Sequence, residues 1–390
     1  MTARHSPLAV IFMTVFIDLV GFGIVIPVLP LYAQHFGASP LVIGCLLAVY
    51  SLMQFLCAPL LGKLSDRVGR RPVLFVSILG TSFGFLLMGL ARSLPLLFLA
   101  RIIDGITGGN ISTAQAYIAD VTSKQDRSKG MGLIGAAFGL GFIFGPALGG
   151  MFSRVSPAAP FFFAALLALL NATALYVLLP ESLPPEQRHP RQASSSVFDV
   201  FRAEEGRSIL TIMAAYFFTT TAFSLLTATY PLFTNRRFGF DALHNGYLFA
   251  AQGILAALVQ GVVLRKIVSI TTDKRVAVAG AAILLLSLFL LPLSHSVWAL
   301  CLATAGVAVG HGCVAAPLNG LASMKTPGAA QGRVIGLMQS SASLARIVGP
   351  VLGGWLLTVD AAALSAHYGR APYWTAGLLS GIALLLAARL

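Results

Sequence analysis

Charge is what this chain has least of. Its 390 residues hold 13 Asp and Glu against 26 Lys and Arg, 10% charged in all, where a soluble domain carries about a quarter. With 57% of its residues hydrophobic, the chain has too little polar surface to cover itself in water, which excludes an ordinary soluble domain. Cysteine is sparse too. Cys45, Cys57, Cys301 and Cys313 fall in apolar stretches, with no CxxC pair and no histidine cluster, so four small core residues are expected and no disulfide or metal centre. There is no Walker loop, no HExxH and no paired His/Cys ligands. Those absences argue against an enzyme or an ATP-driven machine.

What the chain does have is apolar runs of about 20 residues, the length that crosses roughly 30 Å of hydrocarbon. Twelve spans are expected, at 8–33, 42–62, 72–91, 95–119, 130–153, 160–180, 208–232, 243–264, 276–294, 297–323, 332–358 and 373–390. The first run is too long for a cleavable signal peptide and leads into a proline-bearing helix. An even number of spans puts both termini on one side. Loops on that side hold Lys63, Arg67, Arg70, Arg71, Lys124, Arg127, Lys129, Arg188, Arg191, Arg202, Arg207, Arg265, Lys266, Lys274, Arg275, Lys325 and Arg333. The opposite loops hold only Arg92, Arg154, Arg236, Arg237 and Arg370. Positive loops stay in the cytoplasm, so a multi-pass protein of the cell membrane with both termini cytoplasmic is expected. The net charge of +13 is this loop charge, and no nucleic-acid partner is expected.

The longest connection, "ESLPPEQRHPRQASSSVFDVFRAEEGRS", reads as a linker. It divides the chain into a six-helix lobe at 1–180, a linker at 181–207 and a second six-helix lobe at 208–390. Within it, "VFDVFRAEE" has the pattern of a short amphipathic helix on the membrane surface. The halves repeat. Thr122–Gly150 aligns without gaps to Thr326–Gly354, with ten of 29 positions identical and a shared closing Gly-Pro-x-Leu-Gly-Gly. The same offset of 204 residues sets Arg70-Arg71 on Lys274-Arg275 and Pro27 on Pro231. A same-orientation repeat of six spans is the plan of two-lobed transporters, with the substrate site between lobes near the midplane. The expected fold is therefore all-α, integral to the membrane, with twelve helices in two pseudo-symmetric lobes.

Specific motifs sharpen this. "GKLSDRVGRRP" at Gly62–Pro72 resembles the signature between the second and third helices of the major facilitator superfamily. "LARIIDGITGGNISTAQAYIAD" in span four, "GLGFIFGPALGG" in span five and "LPES" after span six fit that family in order. With "DLVGFGIVIPVLP" in span one, they resemble the drug:proton antiporter branch, close to the tetracycline-efflux proteins. The resemblance implies alternating access driven by a proton gradient, with no bound cofactor, a small-molecule cargo and a monomer in the bilayer. It also links Arg101, at the family's span-four arginine position, to proton coupling.

The residues themselves carry a mechanism. Asp66 lies four before Arg70, and Asp120 ends span four on the same side. A carboxylate among Arg67, Arg70 and Arg71 can latch helix ends together and bias a two-state equilibrium, which makes Gly62, Asp66, Arg70, Arg71 and Asp120 candidate gating residues. The second copy has Ile270 where Asp66 would fall, a degenerate latch. In span five, Gly141, Gly145, Gly149 and Gly150 let backbones approach, and Pro146 permits a kink. Gly349, Pro350, Gly353 and Gly354 are the counterpart in span eleven, and in antiporter-like relatives the span-five segment lies at the lobe interface. Ordinary tight packing is the alternative reading.

Few charges lie deep in the spans: Asp18, Arg101, Asp104 and Arg346. With Gly108, Ser112 and Gln115, Arg101 and Asp104 follow a three-to-four spacing expected to line a cavity from one helix face. Burial favours a neutral carboxyl and a nearby guanidinium favours the ionised one, so a carboxylate here can carry protons and compete with a cationic substrate. Asp18, Arg101 and Asp104 are the proton-coupling candidates. A permanent ion pair of Arg101 with Asp104 or with Asp18 is the structural alternative. Arg346 reads equally as an interhelical tether, a partner for a first-half carboxylate or an anion-binding group. His311 reads as a core histidine or a proton relay. Gln54, Asn110, Ser112, Gln115, Tyr117, Gln252, Asn319 and Gln339 complete the candidate cavity wall.

One departure bears on cargo. Tetracycline exporters have an acid in span three and another in span nine, and "GTSFGFLLMGL" and "AVAGAAILLLSLFLLPL" have none. That favours a more lipophilic or differently charged compound than a metal–tetracycline cation. The leading expectation is a proton-driven exporter of amphipathic small molecules. The alternatives are proton-coupled movement of an organic anion, metabolite or lipid, and a receptor that uses the fold without transport.

Overall fold

A computed structural model describes residues 6–123, 126–188, 206–326, 331–361 and 367–390. Its described residues form helices and no strands. Twelve helices are long and apolar enough to cross a membrane: spans one to six at Pro7–Gln34, Pro40–Val68, Arg70–Gly89, Leu94–Val121, Lys129–Ser153 and Ala159–Leu178, and spans seven to twelve at Gly206–Phe238, Ala242–Val268, Asp273–Leu293, Val297–Met324, Arg333–Asp360 and Arg370–Ala388. Helices are what hydrocarbon permits, because each satisfies its own backbone polar groups.

Several spans run longer than the apolar runs alone suggest. Span two continues through Gly62, Lys63 and Asp66 to Val68, and span three starts at Arg70, so the expected loop at Gly62–Pro72 is a single hinge residue between two helices. Gly69 makes that reversal with φ of +113°, a region glycine enters without a Cβ penalty. Span eight contains a wider turn at Val259–Val263 that the pattern of apolar residues does not announce. Of the linker, only 181–188 and its end at 206–207 lie among the described residues. The expected amphipathic helix at 197–205, with Arg191, Arg202 and Lys124, lies outside them.

The chain forms two compact units. The first comprises Met1–Gly37, Val49–Gln192 and Asp241–Ala250, and the second Ala38–Ala48, Ala193–Phe240 and Ala251–Leu390. One core of the first unit gathers Ile11, Val15, Leu74, Ile78, Tyr117, Ile118 and Leu175. Ile209, Ile212, Ala281, Leu318 and Met338 do the same in the second. The four cysteines are free.

Candidate functional site

The site forms where span four breaks. One helix ends at Thr107 and the next begins at Asn110, with Gly108 and Gly109 between them, so the uninterrupted helix expected over 95–119 does not form. Crowding explains the glycines. A Cβ on Gly108 would stand 2.8 Å from the Tyr50 hydroxyl oxygen, and one on Gly105 2.6 Å from the Tyr50 carbonyl oxygen. Spans two and four meet this closely only because neither glycine has a side chain. The carbonyls left over at the break are satisfied from outside the ladder. Gln54 Nε2 donates to the Gly108 oxygen at 2.7 Å, and Ser112 Oγ to the Gly109 oxygen at 2.8 Å.

Just before the break, Arg101 Nη1 donates to Asp104 Oδ2 at 2.8 Å, with the two side chains 2% and 5% exposed. The Arg101 guanidinium also lies over the Tyr50 ring, 4.3 Å from its centroid, a cation–π contact that strengthens out of water. Tyr50 in turn accepts from Gln54 Nε2 at 3.3 Å. Gly84 makes room for Asp104, since a Cβ there would come within 2.9 Å of the Asp104 Cβ. The Thr81 hydroxyl faces the same carboxylate, and Asp18 lies close enough for charge repulsion with it. The Asn110 side chain reaches the half-buried Asp18 carboxylate. Of the two ion pairs open to Arg101, the structure forms the one with Asp104 and leaves Asp18 with an amide. Ionised, the three groups sum to one negative charge.

The expected polar stripe is split. Arg101 and Asp104 are buried, but Ser112 is exposed and Gln115 half-buried, because the break shifts the phase of the second helix. Its buried face carries Asn110, Thr113 and Tyr117 instead, an i, i+3, i+7 spacing legible in the sequence once the break is known. Tyr117 is a core residue rather than cavity wall, donating to the Pro180 oxygen at 3.0 Å. Span three also spells GxSxG at Gly80-Thr81-Ser82-Phe83-Gly84. Ser82 sits inside a helix and donates to the Ala165 oxygen at 2.8 Å, not on the strand-to-helix turn a hydrolase nucleophile needs.

Where span three begins, Arg70 gathers three partners. Its Nη2 meets Asp66 Oδ1 at 2.6 Å, its Nε meets Asp120 Oδ2 at 3.1 Å, and its Nη1 donates to Ser65 Oγ at 2.6 Å. Arg71 turns away to the Tyr176 carbonyl and ring. Glu181, within "LPES", joins this end although its spacing in the sequence does not announce it. Glu181 Oε1 accepts from the Arg70 backbone N–H at 2.9 Å and Oε2 from that of Arg71 at 3.2 Å. A carboxylate on the first N–H groups of span three suits the helix dipole. Ser182 Oγ adds a bond to Asp120 Oδ2 at 3.2 Å. Gly62, a gating candidate, faces open space at its Cβ position.

The two Gly-Pro segments divide their glycines between two jobs. Gly141, Gly145 and Gly149 press on Leu19, Gly23 and Ile24 of span one, and Gly349 and Gly353 on Ser224 and Leu225 of span seven. These glycines pack each segment against a span of its own half of the sequence, the tight-packing reading. The neighbouring positions do meet other spans. A Cβ on Gly246 of span eight would strike the Pro146 oxygen, and one on Gly150 would come within 2.9 Å of the Ala242 oxygen. In span eleven, Pro350 and Gly354 meet Gly44 and Pro40 of span two in the same way.

The remaining candidates belong to the second unit. His311 stacks on Phe223, centroids 4.0 Å apart. Arg346 Nη2 donates to Ser343 Oγ at 3.1 Å. Gln252 is buried, whereas Asn319 and Gln339 are exposed, Asn319 donating to the Ala315 oxygen at 2.8 Å.

Twelve apolar helices, repeated as two sets of six and enclosing ionised side chains, define a membrane transporter. The chain belongs to the Major Facilitator Superfamily, whose model matches residues 11–272 and 270–390. It is 35% identical to the tetracycline resistance protein, class C, of Escherichia coli, over 96% of this chain and 94% of that one. It is 30% identical to multidrug resistance protein 1 of Bacillus subtilis (strain 168), over 99% and 97%. The solved structure of the human organic anion transporter MFSD10 (TETRAN) superposes with a TM-score of 0.72 at 26% identity, covering 99% of this chain and 100% of that one. The chain is a multi-pass membrane transporter of small molecules, not an enzyme.

Proposed function

We propose that the protein exports small amphipathic compounds, preferentially monocations, in exchange for protons. One observation carries this reading: inside the first unit two carboxyls, Asp18 and Asp104, share one guanidinium, Arg101, so the fully ionised cluster carries one net negative charge. A buried charge of that kind is expensive unless something neutralises it. A proton does so, and so does a cationic cargo, and occupancy by one displaces the other. Arg101 holds Asp104, and Tyr50 holds Arg101, so Asp18, met by the Asn110 amide and paired with no guanidinium among the described residues, is the group that trades protons. The resistance-protein relatives support efflux as the direction. Loop charge supports cytoplasmic termini. The working species is a monomer driven by the proton gradient, without a bound cofactor.

A second reading is transport of an organic anion. It draws on the similarity to the human organic anion transporter and on Arg346, the one deep charge of the second half. Reconstitution in liposomes with a trapped pH dye separates the two. Lipophilic cations, tetracycline and organic anions are each presented to wild type and Asp18→Asn. Protons moving opposite to a cation in wild type alone establish antiport and assign Asp18. Protons moving with an anion replace it by symport. Normal coupled transport by Asp18→Asn removes Asp18 from the mechanism.

A further inference from the structure

Among the described residues, six buried polar atoms of the first unit have no hydrogen-bond partner: Arg71 Nε where span three begins, and five deeper ones, Ser77 Oγ, Thr81 Oγ1, Arg101 Nε, Asn110 Oδ1 and Thr113 Oγ1. The five deeper atoms lie on spans three and four, on side chains at most 5% exposed. The register between these antiparallel helices is fixed at three points. Gly84 meets Asp104, Gly80 meets Thr107, and Arg70 pairs with Asp120. Ser77 therefore sits level with Asn110, and Thr113 one turn further from Asp104. Thr81 lies one turn back from Ser77, against the Asp104 carboxylate. By this register the groups from Asp104 to Thr113 follow one lane, about two and a half helical turns long, or roughly 13 Å. It starts at the Asp18–Asp104 cluster and heads for the end of the unit that carries Arg70.

Orphaned polar atoms in a core cost about 1–3 kcal/mol each, and native proteins seldom leave several together. Hydroxyls and an amide oxygen at successive turns offer the two to four partners a buried water needs. Beyond Thr113 the lane meets Leu74, Ala114, Tyr117 and Ile118, an apolar layer that gives water nothing to bond to. We propose that spans three and four hold a file of bound water between the Asp18–Asp104 cluster and this dry layer, and that the coupled proton crosses it. The transport half of the proposal rests on the antiport reading; the water half does not. Along the file each water or hydroxyl accepts a proton on a lone pair and releases its own on the far side. No group is consumed, and the proton is exchanged with a carboxylate of the cluster. The dry layer is the barrier that stops protons leaking when the unit is at rest.

The test is the double variant Ser77→Ala/Thr113→Val, with Ser77→Thr/Thr113→Ser as its hydroxyl-retaining control. Two readouts are taken: thermal unfolding in detergent, and dye-reported proton movement in liposomes. In a dry lane the apolar double variant relieves orphaned hydroxyls and melts higher than wild type; in a wet lane it strands water and melts lower. The expected result is a lower melting temperature with proton movement slowed about tenfold, a modest barrier increase, and both restored in the control. A higher melting temperature overturns the file whatever the transport data. Unchanged proton movement in a destabilised variant overturns its role in conduction. If wild type moves no protons for any cargo, the antiport reading and the conduction step fail together, and melting alone decides the water.

Discussion

The two halves of the chain repeat one pattern, yet the deep carboxylates lie only in the first. At the shared offset of 204 residues, Asp18, Arg101 and Asp104 correspond to Ala222, Ala305 and Ala308, and Ser77 to Ala281. Where the first unit sets a deep cation between carboxylate and ring, deep ties of the second include the 2.8 Å hydrogen bond between Tyr230 and Thr304 and the stacking of His311 on Phe223, while its cation–π contacts at Arg236, Arg237 and Arg370 lie toward helix ends. The terminal-side ends differ likewise. Asp66 and Asp120 converge on Arg70, but their counterparts are Ile270, 84% exposed, and Met324, also exposed. The repeated scaffold has diverged: one copy holds every deep carboxylate, and the other keeps a single deep guanidinium, Arg346.

That division is broken most severely by removing the cation. Arg101→Ala strands Asp104 in a buried site, a change that typically costs about 3–5 kcal/mol. The expected outcome is a large fall in melting temperature and loss of transport; a stable, active variant would contradict the pairing. Placing a carboxylate in the second half is nearly as disruptive. Ala222 is fully buried, and Ala222→Asp introduces an acid with neither Arg101 nor Asn110 to receive it, so poor folding is expected in fluorescence-detected size exclusion. Wild-type yield from that variant would show the second half to be as receptive to charge as the first.

Smaller effects belong to the helix ends. Glu181→Ala uncaps span three and is expected to lose about 1–2 kcal/mol, read as a lower melting temperature, whereas Ile270→Asp, on an exposed site, is expected to leave stability unchanged. Asp66→Asn should slow turnover with cargo binding nearly intact; an unchanged turnover rate counts against the latch. The smallest effect is expected at Asp241, ahead of span eight. Partial burial pushes its carboxyl up, but hydrogen bonds from His244 and the nearby Arg154 guanidinium outweigh this and hold it below the usual carboxylate range. Because the folded value is depressed, its stabilisation is complete above the ordinary carboxylate range and fades as pH falls through the lowered one. Hydrogen exchange at 241–250 should therefore quicken only in acid, and Asp241→Asn should abolish that response.

The sequence by itself determined the membrane, the twelve helices, the repeat and the short list of buried charges, and the reason is solvation. Hydrocarbon forces apolar runs into helices and makes each ionisable residue within them conspicuous, so a single sequence suffices. The residues that recur at a fixed offset gave the two halves for the same reason, since Gly-Pro-x-Leu-Gly-Gly is a packing requirement met twice. Tertiary structure alone decided the partners. Nothing in the spacing of Arg101, Asp104 and Asp18 says which carboxylate takes the guanidinium, because Tyr50, Thr81 and Asn110 come from other helices or from beyond a break. That break at Gly108-Gly109 turned the expected stripe away from Ser112 and toward Thr113, and its cause is the approach of span two. Glu181 escaped notice because the amides it caps lie 110 residues earlier in the chain. Periodicity records which solvent a side chain meets; only packing records which neighbour.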